Sequence, residues 1–146
     1  MDVEVREARP DDYAAWLALW QGYLDFAGST LSDAVTRATW ARIHSPESTL
    51  LCRVAVVDGQ LAGFALCVMH EGTWVTQPIC YLEDLYVAIP LRGHGVGRAL
   101  IAAIRQEGEK SGWAKLYWVT RTNNPARKLY DQVAELGDVV RYTISL

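Results

Sequence analysis

The chain has 146 residues, of which 51% are hydrophobic and 21% charged, so its size and composition predict one globular domain, residues 1–146, with a substantial core. A formal net charge of −3 argues against non-specific binding to nucleic acid, which requires a basic surface. No run reaches the roughly 18 apolar residues of a membrane span, and the N-terminal residues lack the apolar stretch of a signal peptide. These features predict a soluble, cytoplasmic protein with no membrane partner.

The first half of the chain predicts three strands and two helices. Apolar residues recur at helical spacing between Trp16 and Ala27, after two aspartates that suit the first turn of a helix. Asp58-Gly59 indicates a tight turn between two apolar runs. In chain order, the predicted elements are a strand at 2–8, a helix from Asp11 or Asp12 to Gly28, a helix from Ser32 or Asp33 to about His44, and strands at 50–57 and 60–70.

The second half of the chain alternates strands with helices. Gly112 is typical of a helix end, and Pro125 is typical of a first helical turn. The predicted elements are a loop at 72–78, a strand at 79–87, a helix from about Gly95 to Lys110, a strand at 114–121, a helix at 123–136 and a last strand at 139–146. Because some strands are joined by a hairpin and others by a helical crossover, we expect a mixed α/β sheet with helices on its faces.

Three glycines occupy alternate positions between the strand at 79–87 and the helix that follows it: Gly93, Gly95 and Gly97. The Gly-Lys-Ser/Thr ending of a Walker A loop is absent, and so is the spacing of a dinucleotide fingerprint. A glycine turn that opens a helix nevertheless forms an anion site from free backbone N–H groups. The alternative is a tight strand–helix connection without a ligand.

Three motifs, in the right order, resemble the GNAT superfamily of N-acetyltransferases. Residues 92–97, RGHGVG, fit its R/Q-x-x-G-x-G/A signature; residues 81–87, YLEDLYV, look like its fourth strand; and residues 123–130, NNPARKLY, resemble its N-x-x-A-x-x-x-Y segment. The resemblance implies a mixed, mostly antiparallel central sheet of six to seven strands with helices on both faces. It also implies acetyl-CoA as co-substrate, and its flavour is closest to the polyamine, histone-type and small-amine acetyltransferases.

The resemblance also implies which residues bind the cofactor. Backbone groups of the strand would run alongside the pantetheine arm, and an N–H near Leu85 or Tyr86 is the candidate oxyanion donor. Asn123 and Arg127 would contact the cofactor, although Asn123 or Asn124 could instead cap a helix and Arg127 could lie on a solvated face. The implied cofactor-binding set is Leu85, Tyr86, Val87, Arg92, Gly93, His94, Gly95, Val96, Gly97, Arg98, Asn123 and Arg127.

An amine must lose a proton before it attacks a thioester, because its pKa lies near 10. Resemblance to polyamine-type members favours Glu83 as the base, with Asp84 as substrate anchor or second base. Alternation along a strand turns these neighbours to opposite faces, unless a bulge intervenes. Both carboxylates could instead have structural roles only.

The resemblance gives Tyr130 the role of general acid for the departing thiolate. Its helical spacing with Leu129 and Val133 is also that of an ordinary core aromatic. Trp20 and Tyr23, together with Asp84, are candidates for binding an ammonium-bearing acceptor. The alternative for Trp20 and Tyr23 is a buried helical stripe.

The sequence therefore predicts an enzyme that transfers the acetyl group of acetyl-CoA to a primary amine by direct attack in a ternary complex. The acceptor would be a small amine, a polyamine or an exposed lysine. The alternative is a non-catalytic acetyl-CoA-binding sensor or partner-docking domain. A homodimer is expected from family habit, and no metal motif is present. The three cysteines, Cys52, Cys67 and Cys80, are expected to be buried, reduced thiols.

Overall fold

The order of helices and strands follows the predicted order as far as the last helix. The computed structural model describes residues 1–146, and its helix ends carry the expected caps: Ser32 Oγ accepts from the N–H of Val35 at 3.2 Å, and Gly28 and Gly112 are left-handed, with φ of 69° and 72°. The elements are β1 (Glu4–Glu7), α1 (Tyr13–Ala27), α2 (Asp33–Ile43), β2 (Leu50–Val57), β3 (Gln60–His70), β4 (Ile79–Val87), α3 (Val96–Ser111), β5 (Lys115–Tyr117) and α4 (Arg127–Val133).

The five strands form one mixed sheet in the order β1-β2-β3-β4-β5. The first four strands are antiparallel neighbours, and β5 runs parallel to β4. The turn between β2 and β3 holds Asp58 and Gly59 at φ of 50° and 76°, as a two-residue hairpin turn requires. The crossover from β4 to β5 runs through α3, so the sheet changes from antiparallel to parallel pairing at β4.

Helices cover both faces of this sheet, as predicted. One core packs α3 against the sheet through Val96, Leu100, Ile101 and Ile104, and α4 adds Leu129, Tyr130 and Val133 at its margin. The other core packs α1 against the opposite face through Trp16, Leu19 and Trp20, which meet Phe64, Leu66 and Tyr86. None of the four α-helices combines the length and the apolar character needed to cross a bilayer.

The prediction of six to seven strands is wrong, because the sheet has five. The run at 114–121 forms a strand only over Lys115–Tyr117, where β4 lies alongside it. The predicted last strand at 139–146 is not part of the sheet, and residues 135–146 make no backbone–backbone hydrogen bond. Residues 139–141 line the same cavity as β5, but an apolar alternating pattern becomes a strand only where its backbone pairs with a neighbour, and no such pairing forms here.

Candidate active site

A cleft opens where β4 and β5 separate. Their pairing ends at Tyr81 and Tyr117, whose rings stack with centroids 5.0 Å apart. Beyond this point the edge of β4 that faces β5 has no strand partner. The two segments diverge around a cavity of ≈ 1570 Å³. Its wall combines the end of α1, the middle of β4, the run after β5, and α4. The cleft therefore contains the carboxylates of Glu83 and Asp84 on β4 and the side chain of Tyr130 on α4.

A bulge in β4 changes the direction in which its side chains point. The register with β3 pairs Leu82 with Cys67 but Asp84 with Leu66, so Glu83 is the extra residue. Leu82 packs in the core under α3, whereas Tyr86 packs in the core under α1. The alternation thus shifts phase at Glu83. As a result both Glu83 and Asp84 line the cleft, instead of facing opposite sides of the sheet.

Asp84 is the buried member of this pair, with 9% of its surface exposed, while Glu83 is exposed. Burial raises the pKa of Asp84 to about 6, and the adjacent hydroxyl of Tyr23 offsets only part of that rise. Burial and the nearby charge of Asp84 together raise the pKa of Tyr23. Near neutral pH the cleft therefore holds a carboxylate poised to accept a proton, next to a phenol that keeps its own.

Tyr130 lies on α4 and also lines the cleft. Its ring meets that of Trp118 edge-on, with centroids 5.5 Å apart, and packs against the core under α3. Burial raises its pKa, so the hydroxyl stays protonated. The sequence allowed Tyr130 to be either a general acid or a core aromatic. Both are compatible with this position, because Tyr130 packs against the core under α3 and also lines the cleft.

The loop before α4 brings Asn123 and Arg127 to the cleft wall. Asn124, rather than Asn123, organises the turn: its Oδ1 accepts from the N–H of Ala126 at 3.0 Å, and its Nδ2 donates to Thr120 Oγ1 at 2.8 Å. Arg127 donates to the carbonyl of Thr122 at 2.8 Å. Asn123 therefore does not cap the helix, and its side chain is available to a ligand.

The glycine turn has the geometry of an anion site. Gly93 and Gly95 adopt φ of 80° and 84°, and a Cβ added at either would meet no atom within 4 Å. The first amide paired within α3 is that of Ala99, which donates to Gly95 at 3.0 Å. The N–H groups of Val96, Gly97 and Arg98 are therefore free of intrahelical partners. Open space, free amides and the positive helix end fit the phosphates of acetyl-CoA.

Side chains around the glycine turn tie it to both helical layers. The Arg92 guanidinium lies over the rings of Tyr86 and Phe26, 5.2 and 5.6 Å from their centroids. Arg92 Nε also donates to the carbonyl of Val87 at 2.9 Å. Arg98 donates to Gln132 of α4, and His94 is exposed. Arg92 and Arg98 thus position the turn through contacts within the chain.

The structure brings only part of the predicted cofactor set into the cleft. Leu85, Asn123 and Arg127 line it, whereas the turn at 92–98 lies just beyond the end of β4 and outside the lining. Leu85 and Val87 pack at the core under α3, and Tyr86 is buried under α1. Their side chains are therefore occupied, and what β4 offers a ligand is its unpaired backbone edge.

The structure places Trp20 in the core under α1 and not in the wall of the cleft. It is 5% exposed, packs under α1, and donates through Nε1 to Thr36 Oγ1 at 3.3 Å. This position favours the alternative interpretation of Trp20, a buried helical stripe. Tyr23 lies one turn further along α1, near the helix end, and does line the cleft.

We expect Trp20→Phe to lower the free energy of unfolding by about 1–3 kcal/mol, because it leaves a void and removes the bond to Thr36. The KM for an acceptor amine should stay unchanged. Denaturant unfolding and steady-state kinetics would check this, with Tyr23→Phe as the matched variant inside the cleft. A raised KM with unchanged stability in Trp20→Phe would restore Trp20 to the site.

Some cleft residues escaped the sequence interpretation. Tyr81 precedes the bulge on β4, and Arg141 lies in the last residues. Phe26, in the last turn of α1, also lines the cleft. Arg121 crosses the cleft, since its Nη2 donates to the carbonyl of Ala27 at 3.3 Å. Tyr81 could have been found from its place in the quoted strand motif. The arginines carry no local signal, because only the fold brings them to the cleft.

Comparison with known proteins agrees with this geometry. The model of the acetyltransferase (GNAT) family matches residues 13–134. The D-amino-acid N-acetyltransferase HPA3 of Saccharomyces cerevisiae is 34% identical over 143 residues, which cover 96% of this chain and 89% of that protein. An aminoglycoside N(6')-acetyltransferase type 1 of Stenotrophomonas maltophilia is 32% identical over 115 residues, covering 77% of this chain and 71% of that one.

Among solved structures, AAC(6')-Iy in complex with a CoA-containing bisubstrate analog superposes with a TM-score of 0.83 at 20% identity, over 100% of this chain and 99% of that chain. At that identity the likeness shows the fold, which is the GNAT-like α/β fold predicted from the motifs. The predicted enzyme class, an acetyl-CoA-dependent N-acetyltransferase, is confirmed by the family match and by the named relatives. With its glycine turn, its cleft between diverging strands and these relatives, the chain belongs to the GNAT family of acetyltransferases.

Proposed function

We propose that this enzyme acetylates the primary amine of a small, cationic molecule, by direct attack on acetyl-CoA in a ternary complex. The observation that carries the proposal is Asp84, a buried carboxylate in the cleft between β4 and β5, with its pKa raised to about 6. A base is most effective when its pKa lies near the working pH.

The cleft walls suit an ammonium group. Tyr23, Phe26 and Tyr81 contribute aromatic rings, and Glu83 and Asp84 contribute negative charge. Aromatic faces and carboxylates attract alkylammonium groups together. The relatives described above are named for D-amino acids and aminoglycosides, which supports a small molecule over a protein lysine. A polyamine would fit the same chemistry, since each of its amines is a cation.

Burial favours Asp84 over Glu83 as the residue that takes the proton. Asp84 is buried in the cleft, whereas Glu83 is exposed to water. Glu83 instead suits a second ammonium group of the acceptor at the mouth of the cleft. Asp84 would hold the reacting amine and withdraw its proton, directly or through water.

Different residues around the cofactor would bind its phosphates, stabilise the developing oxyanion and protonate the leaving sulfur. Acetyl-CoA supplies a thioester whose carbonyl accepts the amine. The free amides of residues 96–98 would hold phosphate at the start of α3, and the unpaired edge of β4 near Leu85 and Tyr86 would donate to the oxygen that gains charge. Tyr130, which burial keeps protonated, would give its proton to the departing sulfur.

Replacing Tyr130 by phenylalanine should lower turnover at least tenfold, because the ring packing stays and the proton donor is lost. Acetyl-CoA binding should not change. Steady-state kinetics and calorimetric titration would measure the two quantities. Tyr13→Phe is the matched control, since Tyr13 packs near Trp16 and Trp40, outside the cleft. Unchanged turnover in Tyr130→Phe would remove the acid role.

The function itself is tested by release of CoA from acetyl-CoA in the presence of polyamines, D-amino acids, aminoglycosides and lysine peptides. We expect release with small primary amines and little with peptides. Micromolar acetyl-CoA binding without release for any amine would instead support a non-catalytic sensor. Release with lysine peptides alone would overturn the choice of a small acceptor.

A further inference from the structure

Tyr23 stands where the aromatic core under α1 meets the cleft, and its neighbours fix the position of its ring. The ring meets those of Phe64 and Tyr86 edge-on, with centroids 6.0 and 6.2 Å away. The ring of Trp20, on the same helix, lies 5.7 Å away. A phenol oxygen lies on the axis of its ring, so packing that fixes the ring also fixes the place of the hydroxyl. Tyr23 is only half-buried and lines the cavity, so this fixed hydroxyl lies at the wall of the cleft.

The side chain of Asp84 points toward the same helix. Leu66 of β3 pairs with Asp84 on one side and with Cys52 of β2 on the other. Side chains that lie directly opposite in neighbouring strands share a face of the sheet, and Leu66 and Cys52 pack in the core under α1. The bulge at Glu83 gives Asp84 this direction. The hydroxyl of Tyr23 accordingly donates a hydrogen bond to the Asp84 carboxylate.

Tyr23 provides the interaction that favours the charged form of Asp84. Burial raises the pKa of Asp84 most, the bond from Tyr23 lowers it, and the nearby charge of Glu83 raises it. Two further titratable groups face Asp84, and both are neutral, because burial raises the pKa of each: Tyr81 and Cys52. The arginines that line the cleft form no ion pair with Asp84: Arg105, Arg121, Arg127 and Arg141. The hydrogen bond from Tyr23 is therefore what opposes the effect of burial on this carboxylate.

We propose that Tyr23 is a positioning residue of the reaction: its hydroxyl holds one oxygen of the Asp84 carboxylate and leaves the other to the amine. This role rests on the proposed function, in which Asp84 takes the proton of the acceptor. A carboxylate has two oxygens that accept hydrogen bonds, so one can be held while the other reacts. Tyr23 keeps its own proton throughout, because burial and the charge of Asp84 raise the pKa of the phenol. The proton of the amine therefore passes to Asp84, while Tyr23 orients the carboxylate and favours its ionised form.

The first test titrates Asp84 in the protein without substrates, through the NMR shift of its carboxyl carbon, which Asp84→Asn assigns. In the wild type the midpoint should lie at about pH 6. Tyr23→Phe keeps the ring and removes a hydrogen bond to the charged form, so the midpoint should rise by about one unit. Tyr81→Phe is the matched control, since it removes a hydroxyl from the same cleft on the strand of Asp84, and it should leave the midpoint unmoved. An unmoved midpoint in Tyr23→Phe, or an equal shift in both variants, would overturn the proposal.

The second test follows the release of CoA with a small amine as the pH is varied. In Tyr23→Phe the acid limb of kcat/KM should move up with the carboxyl midpoint, a loss of about fivefold at pH about 6. At about pH 8.5, where Asp84 is ionised in both proteins, kcat should still fall while the KM for the amine stays the same, because the carboxylate is no longer held. An unchanged kcat at that pH would overturn the positioning role.

The two tests separate this inference from the proposed function. A carboxyl midpoint that ignores Tyr23→Phe, in an enzyme whose kcat/KM still has an acid limb at pH about 6, would overturn the role of Tyr23 and leave Asp84 as the base. A midpoint that moves, in an enzyme with no acid limb, would keep the contact between Tyr23 and Asp84 and overturn Asp84 as the base. The NMR titration needs neither acetyl-CoA nor an acceptor, so it stands whatever amine the enzyme uses.

Discussion

We expect Gly95→Asp to weaken acetyl-CoA binding at least about 100-fold, a loss of roughly 2.7 kcal/mol. Gly95 precedes α3 at φ of 84°, and a side chain with Cβ is strained there by about 1–3 kcal/mol. The new carboxylate would also occupy the open side of the turn, where it repels phosphate and competes for the amides of residues 96–98. Calorimetric titration with acetyl-CoA measures the change.

The same substitution at the other end of the same helix is the control. Gly112 ends α3 at φ of 72°, also with no atom within 4 Å of an added Cβ. Gly112→Asp therefore meets comparable backbone strain, far from the proposed phosphate site. It should lower thermal stability at least as much, because its charge also meets the negative end of the helix dipole, and it should leave the Kd unchanged. Equal loss of binding in both variants would mean that destabilisation, not the anion site, explains the effect at Gly95.

A second large effect is expected in Asp84→Asn, which should lower kcat/KM at least about 100-fold near neutral pH because an amide cannot take the proton of the amine. In the wild type, kcat/KM should rise through pH about 6, where Asp84 loses its proton. That limb of the profile should vanish in the variant. Glu83→Gln is the control on the neighbouring residue, and we expect it mainly to raise the KM for the acceptor. The reverse ranking would make Glu83 the base, as the sequence resemblance predicted.

The stability of the protein provides an independent readout of Asp84. Its pKa is raised from 3.8 to about 6, so the folded protein binds this proton more tightly than the unfolded chain does. The contribution of Asp84 to stability is therefore most favourable below pH 4 and falls as the pH rises to about 6, by about 3 kcal/mol. Asp84→Asn should lack this fall. Denaturant unfolding across that pH range would detect the difference, even if the acceptor is unknown.

Features that depend on a few neighbouring residues could be predicted from the sequence. Asp58-Gly59 specifies the hairpin turn, because both residues can adopt the positive φ that the turn requires. Ser32 specifies the start of α2, because its side-chain oxygen accepts a hydrogen bond from the first turn of the helix. The glycine turn was recognised for the same reason, because only glycine suits its backbone angles. Its use as a phosphate site, the cytoplasmic location and the single-domain extent stay predictions.

Features that depend on which strands meet could not be predicted. The residues around Glu83 do not indicate a bulge, because the extra residue is defined only by the pairing of β4 with β3. Residues 139–146 have the alternating pattern of a strand, yet they form no backbone hydrogen bond with the sheet, and pairing depends on that contact and not on the pattern alone. Trp20 shares its helical stripe with Tyr23, and only the position where α1 crosses the sheet separates a core residue from a cleft residue.

The contact of Arg92 with Phe26 and Tyr86 has a consequence for how the enzyme can evolve. Phe26 lines the cleft in which we propose that the acceptor binds, yet its ring also contacts Arg92 at the start of the glycine turn. A change at Phe26 that admits a new acceptor would also loosen the turn, and affinity for the two substrates would vary together. Tyr81, which lines the cleft without touching the turn, carries no such constraint. Substitutions that change acceptor specificity without weakening cofactor binding are therefore expected at Tyr81 and its neighbours on β4.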